Sequence, residues 1–172
     1  MIKIDVFGLK DGEYPINIEA LARDVPDMYP EFYGRLNIIG KLRKIGKRYS
    51  FTGTTQCCAM LVCDRSLKEF SQQITADLNL SFRADNLLYK MTDRNRVNDN
   101  EEIIIHEEDK YIDISSRIRE MLAVMLPMKR IAPEYAEKNF EDIFPEYSSR
   151  NKKKKKEEAS DYWAPLKNIK LN

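Results

Sequence analysis

Two long segments of the chain alternate between apolar and polar side chains, the pattern of a β-strand with one face on a core and the other in water. The first covers residues 49–63 and the second covers residues 73–83. In the second segment the apolar positions are Ile74, Ala76, Leu78, Leu80 and Phe82. Residues 64–70 are too few for a parallel crossover, so the two segments are predicted to be neighbouring antiparallel strands.

Shorter alternations extend this sheet toward the N-terminus. Residues 36–43 predict a third strand, which turns at residues 45–47, where Gly46 can adopt a positive φ angle at little cost. Apolar residues at positions 2, 4 and 6 predict a short N-terminal strand. The sheet is therefore predicted to be an antiparallel meander of three or four long twisted strands, either open or barrel-like.

The second half of the chain contains one clear helical pattern. Apolar residues recur at helical spacing, on one face, at Ile114, Ile118, Met121, Leu122, Met125 and Leu126. Asp113 is a suitable N-cap, and Pro127 follows where a helix must stop. Before this helix, residues 85–100 are predicted to be an exposed loop and residues 103–105 a short strand. The fold class is therefore predicted to be α+β, with one amphipathic helix packed on the sheet.

The 172 residues fit one domain with a tail. Residues 1–148 are predicted to form a single α+β domain. Residues 149–160 include five consecutive lysines, whose mutual repulsion predicts a basic linker. Residues 161–172, which contain Tyr162 and Trp163, are predicted to be a separate C-terminal aromatic segment.

Composition favours an intracellular protein. No apolar stretch approaches the roughly 20 residues that span a bilayer, so no membrane contact is expected. The N-terminus has no apolar core typical of a signal peptide. Three cysteines, two of them adjacent, do not suggest a disulfide framework. We expect a cytoplasmic protein with reduced thiols.

The motifs of common enzymes are missing from the sequence. The chain has one histidine, His106, and lacks a glycine-rich phosphate loop and a nucleophile elbow. Cys63 and His106 could form a thiol–imidazole pair, but a buried cysteine and a loop histidine are the simpler interpretation. The cysteines at 57, 58 and 63 lie on two faces of a strand and do not predict a metal site. We expect a protein without catalytic activity, metal or cofactor.

Charge is unevenly distributed, although the net charge is only +1. Residues 35–50 carry six cations and no acid, whereas residues 98–109 carry six acids and no cation. A basic hairpin and a basic tail suit phosphate contacts that weaken as salt rises. The residues predicted to contact RNA are Lys41, Arg43, Lys44, Lys47, Arg48 and Arg65 in the folded region and Lys152, Lys153, Lys154, Lys155 and Lys156 in the tail.

A succession of short motifs includes Cys63, Asp64, Arg65, Phe70, Asp113, Arg119, Glu120 and Pro127, with a terminal segment at residues 163–167. Over about residues 35–135 this succession resembles the YceD family of large ribosomal RNA subunit accumulation proteins, and the terminal segment is similar to one near the C-termini of that family. Many members have a second cysteine where this chain has Ser66, so a metal role for a cysteine pair does not carry over.

The resemblance implies a bacterial cytoplasmic factor needed for large-subunit ribosomal RNA to accumulate, with no established catalytic activity. Its partner would be large-subunit ribosomal RNA or a pre-ribosomal particle, or else a ribosomal protein. The alternative is a protein–protein adaptor that binds a ribosomal protein or an RNA-processing enzyme through residues 99–109 and the C-terminal aromatic segment, without touching RNA.

Overall fold

The computed structural model describes residues 1–91, 102–138 and 144, and the chain divides into two compact units. The core unit comprises Met1–Leu61 and Phe70–Met128. The turn unit comprises Val62–Glu69 and Lys129–Asn172. The domain boundary at residue 148 and the tail beyond it fall outside the described residues and stay predictions.

Five strands form the main sheet, in the order β2-β3-β4-β5-β6. They are β2 (Gly12–Leu21), β3 (Phe32–Ile45), β4 (Arg48–Val62), β5 (Glu69–Ala84) and β6 (Glu102–Ile105). The pairs β2–β3 and β3–β4 are antiparallel, and β4 lies next to β5, which confirms the meander. The sheet ends in edge strands β2 and β6, so it is open and the barrel-like alternative is wrong.

Strand β2 lies in a segment for which the sequence pattern predicts no element. Its half-buried side chains alternate with exposed ones, as in any edge strand that covers a core. Pro15 lies within it, opposite Lys41 of β3. Proline is tolerated there because an edge strand leaves half of its backbone amides unpaired.

The other edge of the sheet is parallel. Strand β6 pairs with β5 in the register Phe82↔Ile103. The predicted loop between them contains a short helix, α1 (Asn86–Met91). Asp85 begins this helix, because its carboxylate accepts the N–H groups of Leu87 and Leu88, both at 3.1 Å. Residues 92–101 of that loop lie outside the described residues.

A small second sheet and a helix complete the core unit. Strand β1 (Lys3–Asp5) pairs antiparallel with β7 (Tyr111–Asp113). Helix α2 (Ser115–Val124) follows β7 and begins one residue later than predicted. Asp113 Oδ1 accepts the N–H of Ser115 at 2.9 Å, so this carboxylate does satisfy the first helical amide. No helix among the described residues is long and apolar enough to cross a membrane.

The hydrophobic core contains side chains from the main sheet, the small sheet and α2. Its largest fully buried members are Phe51, Phe82, Ile4, Leu36, Ile38, Leu42, Leu61, Leu78, Ile112, Ile114, Ile118 and Leu122. Met125, assigned to the apolar face of the helix, is 47% exposed because α2 ends at Val124. Among the described residues, the opposite face of the main sheet is open to solvent, and it carries Lys41 and Arg43 of the predicted hairpin cations.

Two glycines meet across β3 and β4 near the middle of the core. Gly40 is paired directly with Gly53. A Cβ built on Gly40 would lie 2.8 Å from the Phe51 ring and 2.8 Å from Gly53 Cα. The missing side chains therefore allow the two backbones to approach closely and the Phe51 ring to cover them.

Candidate nucleic-acid interface

The predicted turn at the end of the β3–β4 hairpin forms at Gly46, whose φ angle is +56°. Asp11 fixes this turn, because its Oδ1 atom accepts hydrogen bonds from Lys44 Nζ at 3.1 Å and from the Gly46 N–H at 3.0 Å. These hydrogen bonds, first that of Lys44 and then that of Gly46, lower the pKa of the Asp11 carboxyl group. Asp11 thus holds the tip of the hairpin and also pairs with Lys44, one of the hairpin cations.

Strand alternation separates the hairpin cations by face. Lys41 and Arg43 are exposed on the solvent side of β3, directly opposite Thr52 and Ser50 of β4. Lys44 is on the other side, where its side chain is only 16% exposed. Its ammonium group lies 5.8 Å from the centre of the Tyr49 ring, a cation–π distance.

The two cations after the turn are paired with acids from the predicted acidic segment. Lys47 Nζ lies 2.9 Å from Glu107 Oε1, and Arg48 Nε lies 3.7 Å from Glu102 Oε1. The hydrogen bond between Lys47 and Glu107 raises the pKa of the Lys47 ammonium group and lowers the pKa of the Glu107 carboxyl group. The structure therefore brings together two regions of opposite charge that lie far apart in the sequence.

The acidic turn after β6 has its own hydrogen bonds. The Glu107 N–H donates to Asn86 Oδ1, and the His106 N–H donates to Asp109 Oδ2, both at 2.9 Å. The His106 ring meets the Tyr89 ring edge-on, with 5.5 Å between ring centres. The Asn86 side chain therefore holds the Glu107 backbone in place independently of the ion pair of Glu107.

Lys41 and Arg43 are the cations of the β3–β4 hairpin with the weakest ion pairing among the described residues. Lys41 makes no ion pair with any described residue. Arg43 Nε lies 4.0 Å from Glu13 Oε1, with both side chains 61% exposed. An exposed pair at this distance contributes little, so a phosphate can displace it readily.

Arg65 lies in the turn unit, where its guanidinium group is bound to backbone carbonyls. Its Nη1 atom donates to Tyr135 O at 2.7 Å and also to Lys138 O. Asp64 makes a reciprocal pair with Arg130: the Asp64 N–H donates to Arg130 O, and the Arg130 N–H donates to Asp64 Oδ2, both at 2.7 Å. Both side chains thus hold the segment that follows residue 129.

Cys63 belongs to the same turn. Its Sγ atom accepts the N–H of Ala132 at 3.4 Å. Burial tends to raise the pKa of this thiol, but hydrogen bonds from the Ala132 amide, the Ser66 hydroxyl and the amides of Ser66 and Arg65 lower it to about 7. Ser66, which replaces the expected second cysteine, therefore supplies a hydrogen bond to the remaining sulfur.

The other residues of the family resemblance lie in the core unit. Phe70 is half-buried against the hydrophobic core. Arg119 Nη1 lies 3.6 Å from Asp27 Oδ2, whereas Glu120 pairs with Arg117 at 2.7 Å. Pro127 lies three residues beyond Val124, the last residue of α2, so the helix ends before the proline and earlier than predicted. These residues stabilise local structure rather than forming a common pocket with the hairpin cations.

The described residues contain no group of three or more His, Cys, Asp or Glu side chains arranged to hold a metal ion. The five tail lysines, Lys152–Lys156, and the C-terminal aromatic segment lie outside the described residues, so their predicted roles stay predictions.

Comparison with protein-family models gave a match over most of the chain. The family model described as "Large ribosomal RNA subunit accumulation protein YceD" matches residues 51–170. This range covers more than half of the chain and includes most of β4, all of β5 and the turn around Cys63. No curated protein and no solved structure gives a significant match.

Proposed function

The chain belongs to the YceD family, and from this premise we propose that it is a non-enzymatic ribosome-biogenesis factor of the bacterial cytoplasm. It supports the accumulation of large-subunit ribosomal RNA by binding precursor RNA or a pre-ribosomal particle. The observation that carries this proposal is the family match over residues 51–170. The name of the family links it to large-subunit ribosomal RNA.

The open face of the main sheet supports direct contact with RNA. Lys41 and Arg43 project from it side by side, two residues apart on β3. Hydroxyl groups of Thr52 and Ser50 lie opposite them and can donate hydrogen bonds to phosphate oxygens. Cations with neighbouring neutral donors suit a sugar–phosphate backbone, and contacts of this kind are sensitive to salt.

Sedimentation of the tagged protein from cell lysate tests the function. At low salt we expect the protein to migrate with large-subunit precursors, and at high salt to move to the top of the gradient, because phosphate contacts release counterions. A protein found at the top of the gradient in both conditions would contradict binding to a pre-ribosomal particle.

Two double variants test the proposed surface. We expect Lys41→Gln with Arg43→Gln to weaken RNA binding about tenfold or more at ~50 mM salt and to flatten its salt dependence. The matched control is Arg23→Gln with Lys110→Gln, which removes the same charge from two exposed cations outside the main sheet. Equal losses in the two double variants would show that general charge, and not this face, governs binding.

The adaptor alternative predicts a different pattern. Removal of residues 157–172 would abolish capture of a protein partner and leave RNA binding unchanged. If this result were found and the Lys41 and Arg43 double variant also bound RNA normally, the chain would act as a protein–protein adaptor and not through RNA contact.

A further inference from the structure

The hairpin makes one ion pair with β6, through Glu102, and one with the acidic turn after it, through Glu107. Both pairs join groups of unequal exposure. The side chains of Lys47 and Arg48 are each 67% exposed, whereas those of Glu107 and Glu102 are 35% and 21% exposed. The cations are therefore open to an external anion, while the carboxylates are set further into the surface. An RNA phosphate can approach either cation from the solvent side.

The backbone holds both partners of this contact at a fixed separation. The Ala84 N–H donates to Lys47 O at 2.8 Å, which ties the hairpin turn to the end of β5. The Asp85 N–H donates to Ile105 O at 3.1 Å, which ties β6 to the same place. Glu102 stands opposite Ser81 in the parallel register, and the Glu107 amide is bound to Asn86. The carboxylates therefore stay close to the hairpin whether or not an ion pair forms.

Carboxylate and phosphate are both oxyanions that bind ammonium and guanidinium groups through charge-assisted hydrogen bonds. Exposed ion pairs are weak, so a phosphate can replace a carboxylate without any unfolding. Once displaced, each carboxylate would remain close to the bound phosphate and repel it. A fixed acid beside an exposed cation thus lowers the affinity of that cation for RNA.

We propose that Glu102 and Glu107 form an acidic shield, which occupies Arg48 and Lys47 and competes with RNA phosphates for these two cations. The inference rests on the proposed RNA-binding function, and it adds a pair of acids that lower the affinity for RNA. The shield limits tight binding to Lys41 and Arg43, and Lys47 and Arg48 engage only an RNA that can displace the two carboxylates. Such a factor releases its RNA more readily than the number of its cations implies.

The test compares neighbouring glutamates by fluorescence anisotropy with a labelled single-stranded oligouridylate RNA. Glu107→Gln removes the partner of Lys47, and Glu108→Gln removes the same charge one residue away, where the side chain makes no ion pair with any described residue. We expect Glu107→Gln to bind the RNA roughly threefold more tightly than Glu108→Gln at ~50 mM salt. Circular dichroism of each variant checks that the fold is kept.

The same glutamate changes made in a Lys47→Gln protein show whether the gain in RNA affinity depends on Lys47. In a Lys47→Gln protein, the added Glu107→Gln change should give no more affinity than the added Glu108→Gln change. Equal gains from the two glutamate variants in the wild-type background would overturn the shield and leave RNA binding intact. If neither the wild-type protein nor any glutamate variant bound RNA, the proposed function and the shield would both fail.

Discussion

The hydroxyl group of Thr55 is fully buried in β4 and has no hydrogen-bond partner among the described residues. Burying a hydroxyl without a partner costs free energy, because its hydrogen bonds to water are lost. Thr55→Val keeps the shape of the side chain and removes this polar group. We expect the free energy of unfolding, measured by urea denaturation, to rise by about 1 kcal/mol.

Thr54 provides the control for this change, because it is the next residue along β4 and its side chain is exposed on the solvent face. Thr54→Val should change the stability by less than about 0.5 kcal/mol. A loss of stability in Thr55→Val would show that the hydroxyl group has a favourable role inside the core.

The thiol of Cys63 makes stability depend on pH. Its folded pKa of about 7 lies below the value of 9.0 for an unperturbed thiol, so the folded state favours the thiolate. The stabilisation is complete above the unfolded pKa and is lost as the pH falls through the folded pKa. We therefore expect the gap in unfolding free energy between the wild-type protein and Cys63→Ser to widen from about pH 6 to about pH 8.

Cys57→Ser is the matched control for this experiment. Burial, with a smaller contribution from Cys58, raises the pKa of Cys57, so that thiol stays neutral in the folded protein across the same range. Its gap from the wild-type protein should stay constant between those pH values. A constant gap for Cys63→Ser as well would mean that the hydrogen bonds around its sulfur do not favour the thiolate.

At the scale of elements, the contact between β3 and β4 depends on the absence of side chains at Gly40 and Gly53. A Cβ on Gly53 would lie 2.7 Å from Gly40 Cα and would also overlap the carbonyl oxygen of Ile39. Backbone atoms cannot move aside as a flexible side chain can. We expect Gly53→Ala to lower the free energy of unfolding by about 2 kcal/mol. This loss outweighs the stabilisation that alanine gives by reducing the conformational entropy of the unfolded chain.

Urea denaturation measures this loss, and Thr54→Ala in the same strand is its control. The control removes an exposed side chain and should cost less than about 0.5 kcal/mol. If both variants were equally stable, the close approach of the two strands at the glycine pair would not be needed by the fold.

The sequence revealed the elements whose pattern is regular along a single strand or helix. Strands β4 and β5 alternate almost without interruption, so both were predicted within a few residues. Strand β2 also alternates, but its proline obscured it, because only its edge position makes Pro15 acceptable. The parallel pairing of β6 with β5 is a long-range feature, and no local pattern in the sequence encodes it.

At the scale of the whole molecule, the candidate interface could be predicted only in part. The six hairpin and turn cations were visible as residue types, and strand alternation already separates Lys41 and Arg43 from Lys44. The pairing of Lys47 with Glu107 joins residues 60 positions apart and follows from the placement of β6 beside β5. A count of charges along the sequence cannot show which of the cations form ion pairs with acids in the folded protein.

The pairing of β1 with β7 also governs when the chain can fold during synthesis. The Ile2 N–H donates to Ser115 Oγ, 113 residues further along the chain. Until β7 and α2 leave the ribosome, the first strand has no partner and the apolar side of the meander has no cover. Contacts this distant in sequence slow folding, and the intermediates that precede them expose apolar surface and are prone to aggregate. The nascent chain is therefore expected to need chaperone protection until nearly three-quarters of it has been translated.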